Sequence, residues 1–172
     1  ELKDIEPESL YEVMSLIQQN VFVFNASIRE NVTLFREFPE AELEDAMRRA
    51  NLDALIQARG ADFLCGENGK NLSGGEKQRV SIARSLLKKS SVLLADEATS
   101  ALDTESEKLV QEALDRLMSS RTTIAIAHRL STIKNADEIC VMQDGRIVER
   151  GRHEELIKLN GYYKKLNDMQ QL

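Results

Sequence analysis

No apolar run in the 172 residues approaches the roughly 20 that a membrane-spanning helix needs. The longest, SVLLA at 91–95 and TTIAIA at 122–127, are far shorter. The sequence therefore predicts no bilayer crossing, and no signal peptide is read ahead of these runs. Cysteine is scarce: Cys65 and Cys140 stand without CxxC or Cys/His ligand spacing. That excludes a zinc-type framework and reads as two reduced thiols, which fits a cytosolic compartment. Long Lys/Arg runs are also missing and the net charge is −6. Both count against a nucleic-acid partner and against a polybasic membrane anchor. No repeat, low-complexity tract or flexible linker interrupts the chain. What is present is a 42% hydrophobic sequence, enough to bury a core as one ordinary domain or a large piece of one.

Strand and helix patterns alternate along it. VMSLIQ at 13–18 reads as a buried strand, and Ser27 with Glu30 has the spacing of a capping box that opens a short helix. The stretch 39–50 starts with Pro39 at a first-turn position, carries acids early and arginines late, and so suits a helix dipole. LDALIQAR follows, stopped by Gly60, and a polar, glycine-rich loop runs over 61–71. The span 39–88 is thus locally helical. From 91 the pattern is strand SVLLA, helix 105–118, strand TTIAIA, short helix 131–136, strand 138–143, a turn at Asp144-Gly145, strand 146–150 and a helical tail. Strands separated by helices of this length imply crossovers and a parallel sheet, an α/β fold.

NLSGGEKQR at 71–79 carries the first chemical signal. Ser73 and Glu76 again have capping-box spacing, and Val80, Ala83, Leu86 and Leu87 give the following helix an apolar face. A well-capped helix would account for that much. Gly74 and Gly75, however, each cost about 1 kcal/mol relative to alanine in a helix. Two residues without side chains leave N–H groups open at the positive end of a helix dipole, beside a hydroxyl, which suits a phosphate.

A second group agrees. SVLLA ends in Asp96-Glu97 and TTIAIA is followed by His128. Ligands of open parallel sheets bind outside the carboxyl ends of the strands, so these three side chains would converge on one rim. Each alone could be a helix cap. Together they suggest Asp96 holding Mg²⁺, Glu97 orienting or deprotonating a water, and His128 at a terminal phosphate.

These segments, in this order, resemble the nucleotide-binding domain of ATP-binding cassette (ABC) transporters. LSGGE at 72–76 resembles the signature motif, with Glu76 where glutamine is common; SVLLADE at 91–97 resembles the Walker B strand with its catalytic glutamate. SALD at 100–103 resembles the D-loop, AHRLSTI at 127–133 the switch-histidine segment, and Gln19 in LIQQNVFVF the Q-loop glutamine. GENG at 66–69 occupies the place of an exporter-type GERG segment, with Asn68 replacing the arginine, and SIRENV and the end of the chain are also similar to exporter domains.

The resemblance implies a P-loop-NTPase-type parallel sheet with helices and an α-helical signature subdomain at 39–88, with 1–38 and 89–172 forming the α/β core. It implies ATP and Mg²⁺ as ligands and a head-to-tail dimer with a second nucleotide-binding domain. Ser73, Gly74 and Gly75 would then close over the partner's nucleotide and Asp103 would touch the opposite site. Asp96, Glu97, Gln19 and His128 would serve the nucleotide in cis, with Asp96 and Gln19 at Mg²⁺. Transmembrane domains would face the Q-loop and GENG segments, on the cytoplasmic side of a membrane.

One element of the family pattern is absent. No GxxxxGK[ST] occurs, and Gly69-Lys70 has the wrong spacing and is followed by Asn71. In the family that loop, with its strand and helix, precedes the Q-loop, so the sequence reads as a domain lacking the P-loop strand and helix. The expectations are an ATPase in the intact domain, silence of the 172-residue chain alone, and self-association through uncovered apolar surface. Two other readings stand beside it: a DNA-repair-type ABC ATPase, and a non-catalytic fragment that lends its signature loop to a partner.

Overall fold

The computed structural model describes residues 2–96, 102–127 and 130–170. They form two compact units, divided between Ile126 and Ala127.

The first unit is built on a parallel sheet of three strands, β1 (Met14–Gln18), β2 (Val92–Asp96) and β3 (Thr122–Ile126), in that spatial order. The register sets Gln18 beside Asp96 and Asp96 beside Ile126, so the carboxyl ends of the strands are level. The expected α/β fold with a parallel sheet is present. Ser15, Ile17, Leu93 and Ala95 point to one face and are buried. The alternate residues Leu16, Ile124 and Ile126 point to the other, where each is more than half exposed.

The buried face is covered by α5 (Gly74–Lys88) and α6 (Thr104–Met118). Val80, Ile82, Ala83, Leu86 and Leu87 of α5, with Val110, Ala113, Leu114 and Leu117 of α6, join Ile17 and Leu93 in one core. Each valine, leucine or isoleucine among them contributes about 1.5–3 kcal/mol on full burial. The core extends under α2 (Ile28–Thr33), α3 (Glu40–Arg49) and α4 (Asp53–Arg59) through Ile28, Val32, Leu43, Met47 and Leu55.

Both predicted capping boxes form. Ser27 accepts from the Glu30 backbone while Glu30 accepts from the Ser27 backbone, and Ser73 and Glu76 repeat the pattern at the head of α5. Other expectations are corrected. The first strand begins at Met14, because Val13 ends a helix, α1 (Pro7–Val13), that has no buried residue and hence no apolar periodicity to betray it. Pro39 is the N-cap of α3, with extended ψ of 134°, and the helix itself starts at Glu40.

The second unit contains an antiparallel hairpin, β4 (Ile139–Gln143) and β5 (Arg146–Gly151), followed by α7 (His153–Leu159) and α8 (Tyr162–Met169). Leu130, Ile139, Val141, Leu156 and Tyr163 make its core. Glu149 of β5 accepts from the Tyr162 and Tyr163 backbone nitrogens at 2.5 and 2.9 Å, satisfying the open end of α8. The short helix expected over 131–136 is instead a 3₁₀ turn at Leu130–Thr132, followed by a turn. Ile133 donates to Leu130 and Ala136 to Ile133, both three-residue steps. A segment this short cannot repay the nucleation of an α-helix.

Candidate functional site

The structure gathers the described candidates into two places joined by α5. At the carboxyl end of the sheet, β1 delivers Gln19 one residue beyond its end and β2 ends in Asp96. Strands pair about 4.8 Å apart, so the two segments are neighbours. Gln19 is exposed and Asp96 half-buried. Glu97 and His128 lie outside the described residues.

The second place is the meeting of two helix N-termini. Ser73 caps α5 and Asp103 caps α6, its Oδ1 accepting from the Ser106 nitrogen at 2.9 Å. A side-chain carbon on Gly75 would stand 2.6 Å from Ser106 Cβ, and one on Gly74 would stand 3.2 Å from Leu102 Cδ2. Sequence reasoning took the glycine pair as a sign of an anion. At Gly75 the structure supplies a separate reason: α5 and α6 come too close there for any side chain. Gly74 and Ser73 remain exposed, and the first-turn N–H groups of α5 are directed outward as in any helix.

Electrostatics follow from this convergence. Two positive helix ends lie side by side, and Arg79 of α5 is buried against them. Arg79 is 7% exposed, and neither its Nε nor its Nη1 has a hydrogen-bond partner among the described residues. Burial pushes its pKa down, while Glu76 and then Asp103 pull it up. Together these features set the Ser73 cap at the exposed head of α5 beside the buried Arg79 guanidinium and the capping carboxylates of Glu76 and Asp103.

The hydrogen bond from the Ser106 nitrogen holds the Asp103 carboxyl below its usual range. A depressed folded-state value stabilises the fold above the unfolded pKa, near 3.8, and that stabilisation disappears as the pH falls through the lower folded value. Asp103→Asn keeps a good N-cap. Urea unfolding at neutral pH and at about pH 3 should therefore show a smaller acid loss in the variant than in the wild type.

Residues that sequence reasoning passed over hold these places together. Gln78 Nε2 donates to the carbonyls of Gln18 and Gln19, each at 2.9 Å. Arg84 donates from Nη1 to Phe22 O and from Nε to Asn31 O, both at 2.7 Å, and from Nη2 to Asn31 Oδ1 at 2.9 Å. Lys88 Nζ reaches Met14 O at 2.6 Å and also Tyr11 O. One signal was available: Arg79 lies three and four positions before Ile82 and Ala83, on the apolar stripe of α5, where an exposed arginine has no place.

Beyond Gln19 the chain presents aromatic rings. Phe22, Phe24 and Phe35 form edge-to-face pairs with centroids 4.9 and 5.4 Å apart. Phe22 and Phe35 are largely exposed. Leu34 and Phe35 both adopt positive φ, 53° and 61°, a costly conformation for residues with side chains. A groove of about 360 Å³, lined in part by Asn20, Phe22, Thr33, Arg36, Phe38 and Arg84, runs beside them.

Comparison with known proteins supplies the context. The family model described as ABC transporter matches residues 1–100. The chain belongs to the ABC transporter family. Among curated relatives of this ABC chain, the ATP-dependent lipid A-core flippase of Neisseria meningitidis serogroup A is 51% identical over 172 residues, covering 98% of this chain and 28% of that protein. ABC transporter B family member 13 of Arabidopsis thaliana is 49% identical over 176 residues, covering all of this chain and 14% of that protein. A solved bacterial Atm1-family ABC exporter with ATP bound superposes with a TM-score of 0.87 at 40% identity, covering 96% of this chain and 30% of that one. The ABC chain thus spans less than a third of the length of these relatives. Among its described residues no helix is long and apolar enough to cross a membrane.

Proposed function

We propose that the chain is ATP-binding machinery of an ABC exporter, coupling ATP binding and hydrolysis to movement of a substrate across a membrane. The observation that carries this reading is the meeting of Ser73 at the head of α5 with Asp103 at the head of α6, α5 also gripping Gln19. A single rigid element then serves both nucleotide faces of a head-to-tail dimer. Ser73, Gly74 and Gly75 close on the phosphates of the nucleotide held by a second nucleotide-binding domain, and Asp103 reaches across the same interface. In cis, Glu97 orients the attacking water and His128 contacts the terminal phosphate.

The donors present fit Mg²⁺. Among the described residues no cluster of three or more His, Cys, Asp or Glu side chains could hold a metal by itself. Mg²⁺, however, takes one or two carboxylates and completes its shell with water and substrate phosphates. Asp96, with the Gln19 amide oxygen, would hold it there. Bound Mg²⁺ would offset the charge that builds on the transferring phosphoryl group.

In this reading 39–88 is the helical subdomain, and 1–38 with 89–172 the α/β core. Transmembrane domains dock on the aromatic surface at Phe22 and Phe35, which places the chain at the cytoplasmic face of a membrane. The relatives' names, a flippase and an exporter, support export over uptake.

Because the sequence contains no GxxxxGK[ST], the chain by itself has nothing to wrap the phosphates in cis. Calorimetric titration with Mg-ATP should therefore give no saturable heat at micromolar concentrations. Micromolar binding, lost in Asp96→Asn, would show a cis site complete without that loop and would overturn the assignment of silence to the chain alone.

A further inference from the structure

Gln78 is a buried side chain to which the proposed function assigns no role. It is 3% exposed, its Nε2 bonds to two consecutive carbonyls, and its Oε1 is buried without a partner among the described residues. The nitrogen must face the carbonyls, since an amide oxygen there would meet two acceptors. Turning the amide over therefore cannot rescue Oε1.

The two acceptors are successive residues, Gln18 and Gln19. In an extended strand successive carbonyls point in opposite directions. For both to reach one nitrogen at 2.9 Å the chain must leave the strand geometry between them, and a bend is found at Gln19 and Asn20. The two hydrogens of one primary amide thus define where β1 ends and how the peptide units on either side of Gln19 are turned. That fixes the direction of the Gln19 side chain.

Both donors of this buried amide are spent on the turn that carries Gln19. We propose that Gln78 is a positioning residue for the ATPase reaction: it sets the bend at Gln19 and thereby aims the Gln19 amide beside Asp96. It touches neither nucleotide nor metal and acts only through Gln19. This rests on the ATPase reading above, and the test separates the two.

Gln78→Met keeps the length of the side chain, removes both donors and removes the orphaned oxygen. In the 172-residue chain its melting temperature should stay within about 4 °C of the wild type. Wild-type spectra should show scalar couplings across the hydrogen bonds from the Gln78 side-chain nitrogen to the carbonyl carbons of Gln18 and Gln19. In Gln78→Met the Gln19 backbone shifts should move toward values of a mobile segment while those of Ser73 stay in place. In the intact transporter the same substitution should lower kcat about 10- to 100-fold with KM for Mg-ATP within about twofold, the pattern of a misaimed group. Absence of the couplings, an unmoved Gln19 in Gln78→Met, or an unchanged kcat in an active transporter would each overturn the proposal. A wild-type transporter without Mg-ATP turnover would sink the ATPase reading instead, and the spectra would still decide whether Gln78 sets the bend.

Discussion

Arg84→Met should lower the stability of the protein by roughly 2–4 kcal/mol, because removing a half-buried guanidinium would take the donor from two carbonyls, Phe22 O and Asn31 O, and one of the two donors from Asn31 Oδ1. Asn31 lies near the carboxyl end of α2, where helix carbonyls have no partner within the helix. Arg84 Nε supplies that partner at 2.7 Å, and its positive charge suits the negative end of the helix. Asn31 in turn accepts from the Phe24 nitrogen and donates to Phe24 O and Ser27 O. Removing Arg84 therefore loosens the whole path from Phe22 to α2. Burial pushes the Arg84 pKa down from its ordinary value, yet no neutral side chain offers the same fork of donors. Arg84→Lys should consequently recover only part of the loss. Urea unfolding of the three proteins measures the effect, and a loss below about 1 kcal/mol for Arg84→Met, smaller than one charged hydrogen bond, would mean that the fork is replaced by water at little cost.

The second large effect is expected from a single methyl group. Alanine is the better helix former by about 1 kcal/mol, so propensity favours both Gly74→Ala and Gly75→Ala. Packing separates them. At Gly75 the new carbon would sit 2.6 Å from Ser106 Cβ, an atom fixed to the backbone of α6, so the helices themselves must part. Overpacking of this kind costs roughly 1–3 kcal/mol, and Gly75→Ala should be destabilising on balance. At Gly74 the nearest atom, 3.2 Å away, is a terminal methyl of Leu102 that can rotate aside. Gly74→Ala should be neutral or slightly stabilising. Thermal unfolding of the pair tests the argument, and equal effects at the two positions would refute the close approach of α5 and α6.

That contrast shows where reading the sequence ends. Features set by neighbours in the chain were legible: the two capping boxes, the dipole-matched charges of α3, the alternation of strands and helices and hence a parallel sheet. The cap at Ser73 and the strand end at Asp96 were legible because serine at a helix head and aspartate after an apolar strand are local patterns. What was not legible depends on residues far apart. The reason for Gly75 is Ser106, on another helix, and the partners of Gln78 and Arg84 lie at the end of β1, on the loop after it and on α2. Spacing within α5 cannot tell a side chain that meets water from one that meets a buried carbonyl. The α1 helix was hidden for the opposite reason, since it buries nothing. The short 131–136 segment was misjudged because its composition suited a helix although its length did not.

The claim at the centre of the account is that the Ser73 turn acts on a nucleotide held by another domain. Sedimentation of the chain mixed with the intact ATP-binding domain of a close relative, arrested before hydrolysis, tests it directly. The account predicts a one-to-one complex that forms with Mg-ATP and not without it. Ser73→Asp, which preserves the helix cap but sets a negative charge toward the phosphates, should fold as the wild type does and fail to form the complex. A complex indifferent to ATP, or one that Ser73→Asp leaves intact, would contradict the claim.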